Sequence, residues 1–181
     1  MVDHIVLGVE SSIKRIILVG KGGSGKDHLR KILENEGLNY CVSHTTRPIR
    51  EGEQEGKDYF FVSGPIFLGM IEDGYLYENV IFNTWYYGIS REQFKKGDLL
   101  IMTPNGVSAL TKGDRKSSVV IYIDIDEDTR RQRMSIRRDS DQTERRLKAD
   151  FLDFENFTDF DLRITDPSFT IETFYSLLKS K

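Results

Sequence analysis

Short apolar runs of strand length alternate with stretches of helical periodicity along most of the chain. The apolar runs lie at 16–19, 38–43, 99–103, 118–125 and 162–165. The helical patterns lie at 28–36, 105–112, 126–138, 141–157 and 168–179. This alternation predicts an α/β fold with a parallel sheet of about five strands flanked by helices. Residues 43–96 break the rhythm, because they are polar, aromatic and rich in turn signals, with short strand-like pieces at 59–62 and 75–80. We therefore expect them to form an insertion that stands off the sheet.

The first predicted strand runs directly into a glycine-rich turn that is followed by Lys26 and a helix. Glycines have no side chain, so consecutive backbone N–H groups can converge on phosphate oxygens at the positive end of the helix. Lys26 would add a mobile charge at the β- and γ-phosphates. The predicted phosphate-binding residues are Gly20, Gly22, Gly23, Ser24, Gly25, Lys26 and Asp27. A glycine-rich turn without a ligand is the alternative interpretation.

Asp27 stands where such a loop normally offers a Ser or Thr hydroxyl to Mg²⁺. A carboxylate at this position can ligate the metal directly, but without a metal it repels phosphate. Asp27 is therefore the candidate metal ligand. His4, His28 and His44 are scattered along the sequence and indicate no metal cluster.

A second candidate site lies in SHTTRPIREGEQEGKDYFFVS, residues 43–63. Arg47 and Arg50 flank Pro48, which restricts the directions in which the two guanidinium groups can point. Two planar guanidinium groups held near Tyr59 suit a phosphate monoester. A solvated surface loop with incidental arginines is the alternative.

A third cluster, residues 126–150, is rich in arginine. Arg133 and Arg137 are four residues apart and share a helix face, and Arg146 follows a short polar break at 139–142. The arrangement resembles the arginine-bearing lid of nucleoside monophosphate kinases, and this resemblance implies that the arginines reach a transferred phosphate. The alternative is a solvated helix on which the neighbouring acidic residues pair with the arginines.

Size and charge limit the class of protein. The 181 residues suit one domain, and the net charge of −3, from 26 basic and 29 acidic residues, provides no general basic field for nucleic acid. The single cysteine, Cys41, excludes an internal disulfide and is expected to be a buried apolar side chain. No apolar run reaches the length of a membrane span, so we expect a cytoplasmic protein. Residues 1–14 are either an edge strand or a loose extension.

Residues 43–63 closely resemble the GMP-binding segment of guanylate kinases. The phosphate loop, EGKDYFFVS and NTWYYG follow in that family's order, and the resemblance covers about residues 15–166. It implies a P-loop nucleotide kinase core with a small inserted monophosphate-binding subdomain and a helical lid. The implied division of a single kinase domain, 1–181, is a core at 15–42, 97–132 and 147–181, an insertion at 43–96, a lid at 133–146 and an N-terminal extension at 1–14.

The resemblance also assigns roles to individual side chains. The implied monophosphate-binding residues are Ser43, Arg47, Arg50, Tyr59, Glu78, Tyr87 and Thr103. The implied catalytic residues are Lys26, Arg133, Arg137 and Arg146. Among them Glu78 would read guanine, because a carboxylate accepts from two adjacent N–H donors and guanine presents such a pair at N1 and N2. If Glu78 has no such role, it belongs to the polar face of an edge strand.

The chain departs from the family pattern in two parts of the base site. Ile89 replaces a Ser or Thr and cannot hydrogen-bond guanine O6, while Ile101 and Thr103 replace an Asp-x-Asp pair. Discrimination between bases is therefore less secure than phosphate binding. Asp124 and Asp126 could substitute for the missing carboxylate near the metal, or they simply end a strand and cap a helix.

These features predict phosphoryl transfer from ATP with Mg²⁺ to a nucleoside monophosphate, with GMP or dGMP as the first choice of acceptor. Catalysis of this kind depends on alignment and charge neutralisation and needs no side-chain nucleophile. One alternative is a monophosphate kinase of different or broader base specificity. Another is a non-catalytic guanylate kinase-like module that binds phosphopeptides, and a kinase of polynucleotide ends is a weaker third. We expect a monomer or homodimer that binds neither nucleic acid nor a membrane.

Overall fold

The computed structural model describes residues 13–82, 84–135 and 140–179. The strands are β1 (Arg15–Gly20), β2 (His44–Thr45), β3 (Phe60–Phe61), β4 (Leu76–Phe82), β5 (Trp85–Ser90), β6 (Leu99–Met102), β7 (Ser118–Ile123) and β8 (Leu162–Ile164). The helices are α1 (Lys26–Asn35), α2 (Gly64–Glu72), α3 (Arg91–Lys96), α4 (Pro104–Ser108), α5 (Lys112–Lys116), α6 (Glu127–Ser135), α7 (Ser140–Phe154) and α8 (Ile171–Lys179). Residues 1–12, which make up most of the expected N-terminal extension, lie outside the described residues.

Four strands form a parallel sheet in the order β6-β1-β7-β8. In β1, Ile16 and Leu18 pack into the apolar cluster on one face, and Ile17 and Val19 pack into the cluster on the other. A parallel sheet covered on both faces produces this continuous apolar run in the sequence. The carboxyl ends of the strands meet at one edge of the sheet, where ligands bind in open α/β folds.

The predicted strand at 38–43 is wrong as a strand, although its place beside the sheet is confirmed. Only an isolated parallel bridge joins Tyr40 to Leu99. The Leu99 N–H donates to the Asn39 carbonyl at 3.1 Å and the Cys41 N–H donates to the Leu99 carbonyl at 2.8 Å, and the bridge is not continued beyond them within the described residues. The backbone thus leaves the sheet after one pairing, and this segment occupies the fifth position beside β6.

Residues 44–90 form a second four-stranded sheet in the order β3-β2-β5-β4. β2 pairs parallel with β3 and antiparallel with β5, and β4 and β5 form an antiparallel pair. The strand-like patterns at 59–62 and 75–80 correspond to β3 and β4. This second sheet is the structural counterpart of the break in the sequence rhythm.

The predicted helix at 105–112 divides into the two short helices α4 and α5. Thr103 and Thr111 each cap one helix, and their side chains accept hydrogen bonds from the N–H groups of Gly106 and Asp114. Each threonine provides a start signal of its own, so a single helix does not form. Within the described ranges, no helix has both the length and the apolar character needed to cross a membrane.

The core predictions are confirmed except for one aromatic residue. Met102 and Met134 are buried, and Phe154 and Phe157 pack around Tyr122 with ring centroids 5.4 Å away in each case. Phe151 was expected in the same cluster, but it is 62% exposed. It lies three residues before Phe154, and this spacing turns it about 60° away from the buried face of α7.

Candidate functional site

A cavity of about 880 Å³ is lined by residues of both sheets and by the start of α1. The residues that line it include Gly20, Gly22, Gly23, Lys26, Asp27, Ser43, Arg47, Arg50, Tyr59, Glu78, Tyr87 and Thr103. The glycine-rich loop and the arginine pair therefore face one space. The structure brings together the two anion-binding clusters that the sequence placed more than 20 residues apart.

The glycine-rich loop follows β1 and ends where α1 begins at Lys26. Gly23 and Gly25 have φ of 77° and 100°, a conformation that L side chains rarely adopt. A Cβ on Gly23 would also lie 2.8 Å from the Arg130 carbonyl oxygen, so only glycine fits there. Within the described part of the chain, the N–H groups of Gly23 and Gly25 have no hydrogen-bond partner, which leaves them for an anion at the helix N-terminus.

Three side chains from α6 and α7 hold the loop in this shape. Asp150 accepts a hydrogen bond from the Gly22 N–H at 2.9 Å, and the Arg130 guanidinium donates to the Gly22 carbonyl at 3.2 Å. Arg133 donates to the carbonyl oxygens of Gly23 and Ser24 at 3.3 and 3.2 Å. The predicted lid residue Arg133 thus contacts the main chain of the loop.

The other two predicted lid arginines cannot be placed in the same way. Arg137 lies outside the described residues. The structure describes Arg146 only through the backbone of α7. Their predicted role stays a prediction.

Lys26 and Asp27 both line the cavity at the first turn of α1. The Lys26 ammonium lies 3.4 Å from the Lys21 carbonyl oxygen, inside the loop. Among the described residues, no three His, Cys, Asp or Glu side chains come together as a metal site. A single carboxylate is still compatible with Mg²⁺, which commonly takes one or two protein carboxylates together with substrate phosphates and water.

Arg47 is buried, with 6% of its surface exposed, and its guanidinium is held by Glu53. The two nitrogens Nη1 and Nη2 donate to Glu53 Oε2 and Oε1 at 3.0 and 2.7 Å. Glu53 Oε2 also accepts from the Arg50 backbone N–H at 2.8 Å. The carboxylate raises the pKa of Arg47 despite the opposing effect of burial.

Tyr59 and Tyr87 lie beside Arg47. Together with the other residues predicted to bind the monophosphate they form what is here called the acceptor cluster: Ser43, Arg47, Arg50, Tyr59, Glu78, Tyr87 and Thr103. The Arg47 guanidinium carbon is 5.3 Å from the centre of the Tyr59 ring, and the rings of Tyr59 and Tyr87 meet edge to face at 6.0 Å. Burial is the main reason that the pKa of Tyr59 is raised well above its usual value. Tyr59 is therefore a neutral hydroxyl donor at physiological pH, as recognition of a phosphate oxygen requires.

Glu78 lies on β4, lines the same cavity and is 8% exposed. Its Oε2 is buried and has no hydrogen-bond partner within the described residues. Burial raises the pKa of Glu78 to about 7. The Ile89 backbone N–H donates to the carboxylate and partly offsets this rise, so near neutral pH a partly charged carboxylate with its Oε2 unpaired within the described residues lines the cavity and can accept N–H donors from a ligand.

Of the two departures from the family pattern, only one faces the cavity. Ile89 is 1% exposed and packs with Cys41, Phe94 and Met102 in the core cluster. By contrast, Ile101 and Thr103 line the cavity. The Thr103 hydroxyl accepts the Gly106 N–H at 3.1 Å, so its position is fixed by the cap of α4.

Sequence reasoning missed four charged residues that build the site. Arg30, on α1, is 3% exposed and pairs with Glu34 and with Asp58, both at 2.8 Å. It thereby joins the phosphate-loop helix to the residue that precedes Tyr59. The other missed residues are Glu53, Arg130 and Asp150. The sequence spacing of these four residues does not distinguish them from charged residues on a solvated surface, because their partners are distant in the sequence or lie in an irregular loop.

Asp124 and Asp126 have structural roles, as the simpler interpretation predicts. Asp124 accepts from the Tyr122 hydroxyl at 2.8 Å and forms ion pairs with Lys21 and Arg163. Asp126 accepts from the Thr129 N–H at 2.8 Å and caps α6. Neither residue is among those that line the cavity in the described structure.

A sequence profile described as guanylate kinase matches residues 12–180. The chain belongs to the guanylate kinase family. It is 43% identical over 83 residues to a guanylate kinase of Legionella pneumophila (strain Lens), a match that covers 44% of this chain and 39% of that protein. It is 36% identical over 117 residues to the guanylate kinase of the Aster yellows witches'-broom phytoplasma (strain AYWB), covering 60% of this chain and 56% of that protein.

The fold of the guanylate kinase family extends over almost the whole chain. The crystal structure of guanylate kinase from Anaplasma phagocytophilum matches with a TM-score of 0.67 and 25% sequence identity. This match covers 94% of this chain and 85% of the Anaplasma chain. The chain spans only about two fifths to just over half of the length of the two relatives compared above. Sequence similarity is thus concentrated in part of a fold that is shared throughout.

Proposed function

We propose that this member of the guanylate kinase family transfers the γ-phosphoryl group of ATP to a nucleoside monophosphate, with GMP or dGMP as the preferred acceptor. The products are the nucleoside diphosphate and ADP. One observation carries the proposal: the phosphate loop with Lys26 and the acceptor cluster around Arg47 line the same cavity. An acceptor phosphate held by Arg47 would therefore meet a donor phosphate held by the loop.

The proposed reaction is an in-line displacement at the γ-phosphorus. A phosphate oxygen of the acceptor forms the new P–O bond, and the bond from the γ-phosphorus to the bridging oxygen of ADP breaks. Lys26 neutralises charge on the transferred group, and Arg47, Arg50, Tyr59 and Tyr87 restrain the attacking phosphate. These residues supply alignment and electrostatic stabilisation, which are the main sources of catalysis in phosphoryl transfer.

Asp27 is the residue that would hold Mg²⁺ together with the ATP phosphates. It lines the cavity directly after Lys26, where the carboxylate fits a site completed by phosphate oxygens and water. The ion would neutralise phosphate charge during transfer. Without the metal, the carboxylate opposes phosphate binding, so ATP affinity should depend strongly on Mg²⁺.

We also propose that the insertion 43–96 and the lid 133–146 close over the two nucleotides. Bringing two anions together requires water to be excluded and charge to be neutralised from several directions. Arg133, Arg137 and Arg146 are the proposed lid arginines, and Arg133 also donates to the carbonyl oxygens of Gly23 and Ser24. A cytoplasmic location is part of this proposal and agrees with Cys41 as a free, buried thiol. A monomer or homodimer stays a prediction.

The choice of guanine rests on Glu78. Its buried carboxylate, whose Oε2 has no partner within the described residues, suits adjacent N–H donors, whereas an adenine edge offers one donor beside a ring nitrogen that accepts. The N-cap role of Thr103 leaves its hydroxyl hydrogen for the base. We expect Glu78 to supply most of the discrimination between bases.

The test is an acceptor panel of GMP, dGMP, AMP, CMP and dTMP with ATP and Mg²⁺ in a coupled assay of ADP release. GMP and dGMP should have the highest kcat/KM. If they are the poorest acceptors, the role of Glu78 is wrong and a different base specificity replaces it. If no acceptor supports turnover and calorimetry shows no heat of ATP binding, the chain is a non-catalytic binding module.

A further inference from the structure

Both main-chain hydrogen-bonding groups of Gly22 are held by one buried ion pair. Asp150 Oδ2 accepts the Gly22 N–H at 2.9 Å, and Arg130 Nη1 donates to the Gly22 carbonyl oxygen at 3.2 Å. The same nitrogen lies 3.3 Å from Asp150 Oδ2. The exposed fractions of the Arg130 and Asp150 side chains are only 4% and 3%.

The backbone around the pair fixes where its charges lie. Arg130 Nε donates to the carbonyl oxygen of Ile125, two residues after β7, at 3.1 Å, so the guanidinium is anchored there as well as to the loop. The backbone of Arg130 also packs directly against Gly23, where a Cβ would lie 2.8 Å from the Arg130 oxygen. The pair and its helix thus touch two consecutive residues of the loop.

The pair has a defined relation to the proposed ATP phosphates. Asp150 lines the cavity, yet its charge is balanced by Arg130 at hydrogen-bond distance. It can hold the Gly22 N–H without placing a net negative charge beside the phosphates. The N–H groups of Gly23 and Gly25 stay available for the ligand within the described structure.

We propose that Arg130 and Asp150 are positioning residues that fix the conformation of the phosphate loop for ATP. They act through Gly22 and do not themselves bind the transferred group. The pair links α6 and α7, on either side of residues 136–139, to the loop. The proposal rests on the proposed ATP-dependent function, but loop conformation and ATP affinity can be measured whichever acceptor the enzyme uses.

Two variants separate positioning from folding. The double variant Arg130→Met/Asp150→Leu replaces the ion pair by apolar side chains of similar length, an exchange that commonly preserves stability when a buried pair is removed as a unit. Arg130→Lys keeps the charge but loses the planar guanidinium that reaches Gly22 and Ile125 together.

The matched control is Asp161→Asn. Asp161 likewise lies between an arginine and a backbone N–H, at 2.9 Å from Arg115 and 2.8 Å from the Val120 nitrogen, but it is absent from the residues that line the cavity in the described structure.

The measurements are calorimetry with ATP and Mg²⁺, hydrogen exchange of the Gly22 amide by NMR, the thermal midpoint, and the KM for GMP. Both test variants should bind ATP at least fivefold more weakly and exchange the Gly22 amide at least tenfold faster, while the KM for GMP changes less than twofold. Asp161→Asn should lower the thermal midpoint and leave ATP affinity and Gly22 exchange unchanged.

The proposal is overturned if the double variant, or Arg130→Lys should the double variant not fold, keeps wild-type ATP affinity and Gly22 exchange within twofold. It is also overturned if Asp161→Asn weakens ATP binding as much as they do, because the effect would then follow from stability alone. If the wild-type enzyme fails to phosphorylate GMP, the proposed acceptor is wrong, and the ATP and Gly22 measurements still decide the role of the pair.

Discussion

Glu78→Gln should make the protein more stable and less able to bind its acceptor, with both effects depending on pH. The substitution keeps the size of the side chain and removes the charge that burial disfavours. Burial raises the pKa of Glu78 from 4.5 to about 7 in the folded protein. The folded state therefore holds the proton that the unfolded state releases between these two values.

The size of the stability effect follows from this pKa difference. The difference between a pKa of 4.5 and a pKa of about 7 corresponds to about 3 kcal/mol in the free energy of unfolding. Below the pKa of the unfolded state, Glu78 is protonated in both states and does not change the free energy of unfolding. Because the pKa is higher in the folded state, the wild-type protein loses stability as pH rises from about 4.5 to 7. The advantage of Glu78→Gln in the free energy of unfolding should grow by about 2.5 kcal/mol between pH 5 and pH 8. Urea unfolding at these two pH values and at pH 6 and 7 measures it.

GMP binding by the wild-type protein should become stronger as pH rises, although stability falls, because guanine N–H donors need the ionised carboxylate. With a pKa of about 7, the dissociation constant of wild-type protein for GMP should be about tenfold higher at pH 6 than at pH 8 as a result of Glu78 alone. The phosphate of GMP also titrates near pH 6, and the Gln variant corrects for that contribution. The variant should bind GMP at least tenfold more weakly at pH 8.

Calorimetry of GMP binding at pH 6 and pH 8, with the wild-type protein and Glu78→Gln measured in parallel, completes the test. A stability difference between wild type and variant that does not change from pH 5 to pH 8 would refute the claim that burial raises the pKa of Glu78. Equal GMP affinity of the two proteins at pH 8 would refute its role in base recognition.

Further predictions concern the two anion-binding clusters and the core. Lys26→Ala should lower kcat by about 100-fold with little change in the KM for GMP, whereas Arg47→Ala should raise that KM by about 30-fold. If kcat falls and the KM for GMP rises to the same extent in both variants, the division of roles between Lys26 and Arg47 is wrong. Gly23→Ala should destabilise the protein and weaken ATP binding, because φ is 77° and the new Cβ would lie 2.8 Å from the Arg130 oxygen; urea unfolding and calorimetry measure the two effects. Burial raises the pKa of Cys41 to about 12, so a disulfide thiol reagent at pH 8 should label the unfolded protein and spare the native one.

The sequence predicts the parts of the fold that depend on local periodicity. The strand and helix on either side of the phosphate loop appear as β1 and α1, because apolar alternation and helical spacing are properties of neighbouring residues. The segment at 38–43 fails as a strand because its pairing with β6 stops after a single bridge at Tyr40, and the apolar character of a segment does not show where its pairing ends. Phe151 fails as a core residue because a three-residue repeat is shorter than a helical turn.

The candidate site shows the same division between local and distant effects. The phosphate loop and the Arg47 segment carry their chemistry in consecutive residues, and both line the cavity. The supports of these groups are not local: Asp150 lies 128 residues from Gly22, and Asp58 lies 28 residues from Arg30. Each appears in the sequence as one more charge on a helix or in a loop. Burial among distant partners gives it a structural role, and no spacing rule detects that.

The central claim is that donor and acceptor phosphates occupy one cleft between Lys26 and Arg47. The most direct test is calorimetry with a compound that joins adenosine and guanosine through five phosphates, compared with ADP and GMP alone. We expect one binding site, an affinity at least 100-fold higher than that of either nucleotide, and loss of that gain in both Lys26→Ala and Arg47→Ala. Two independent sites, or an affinity no better than that of the tighter single nucleotide, would contradict the account.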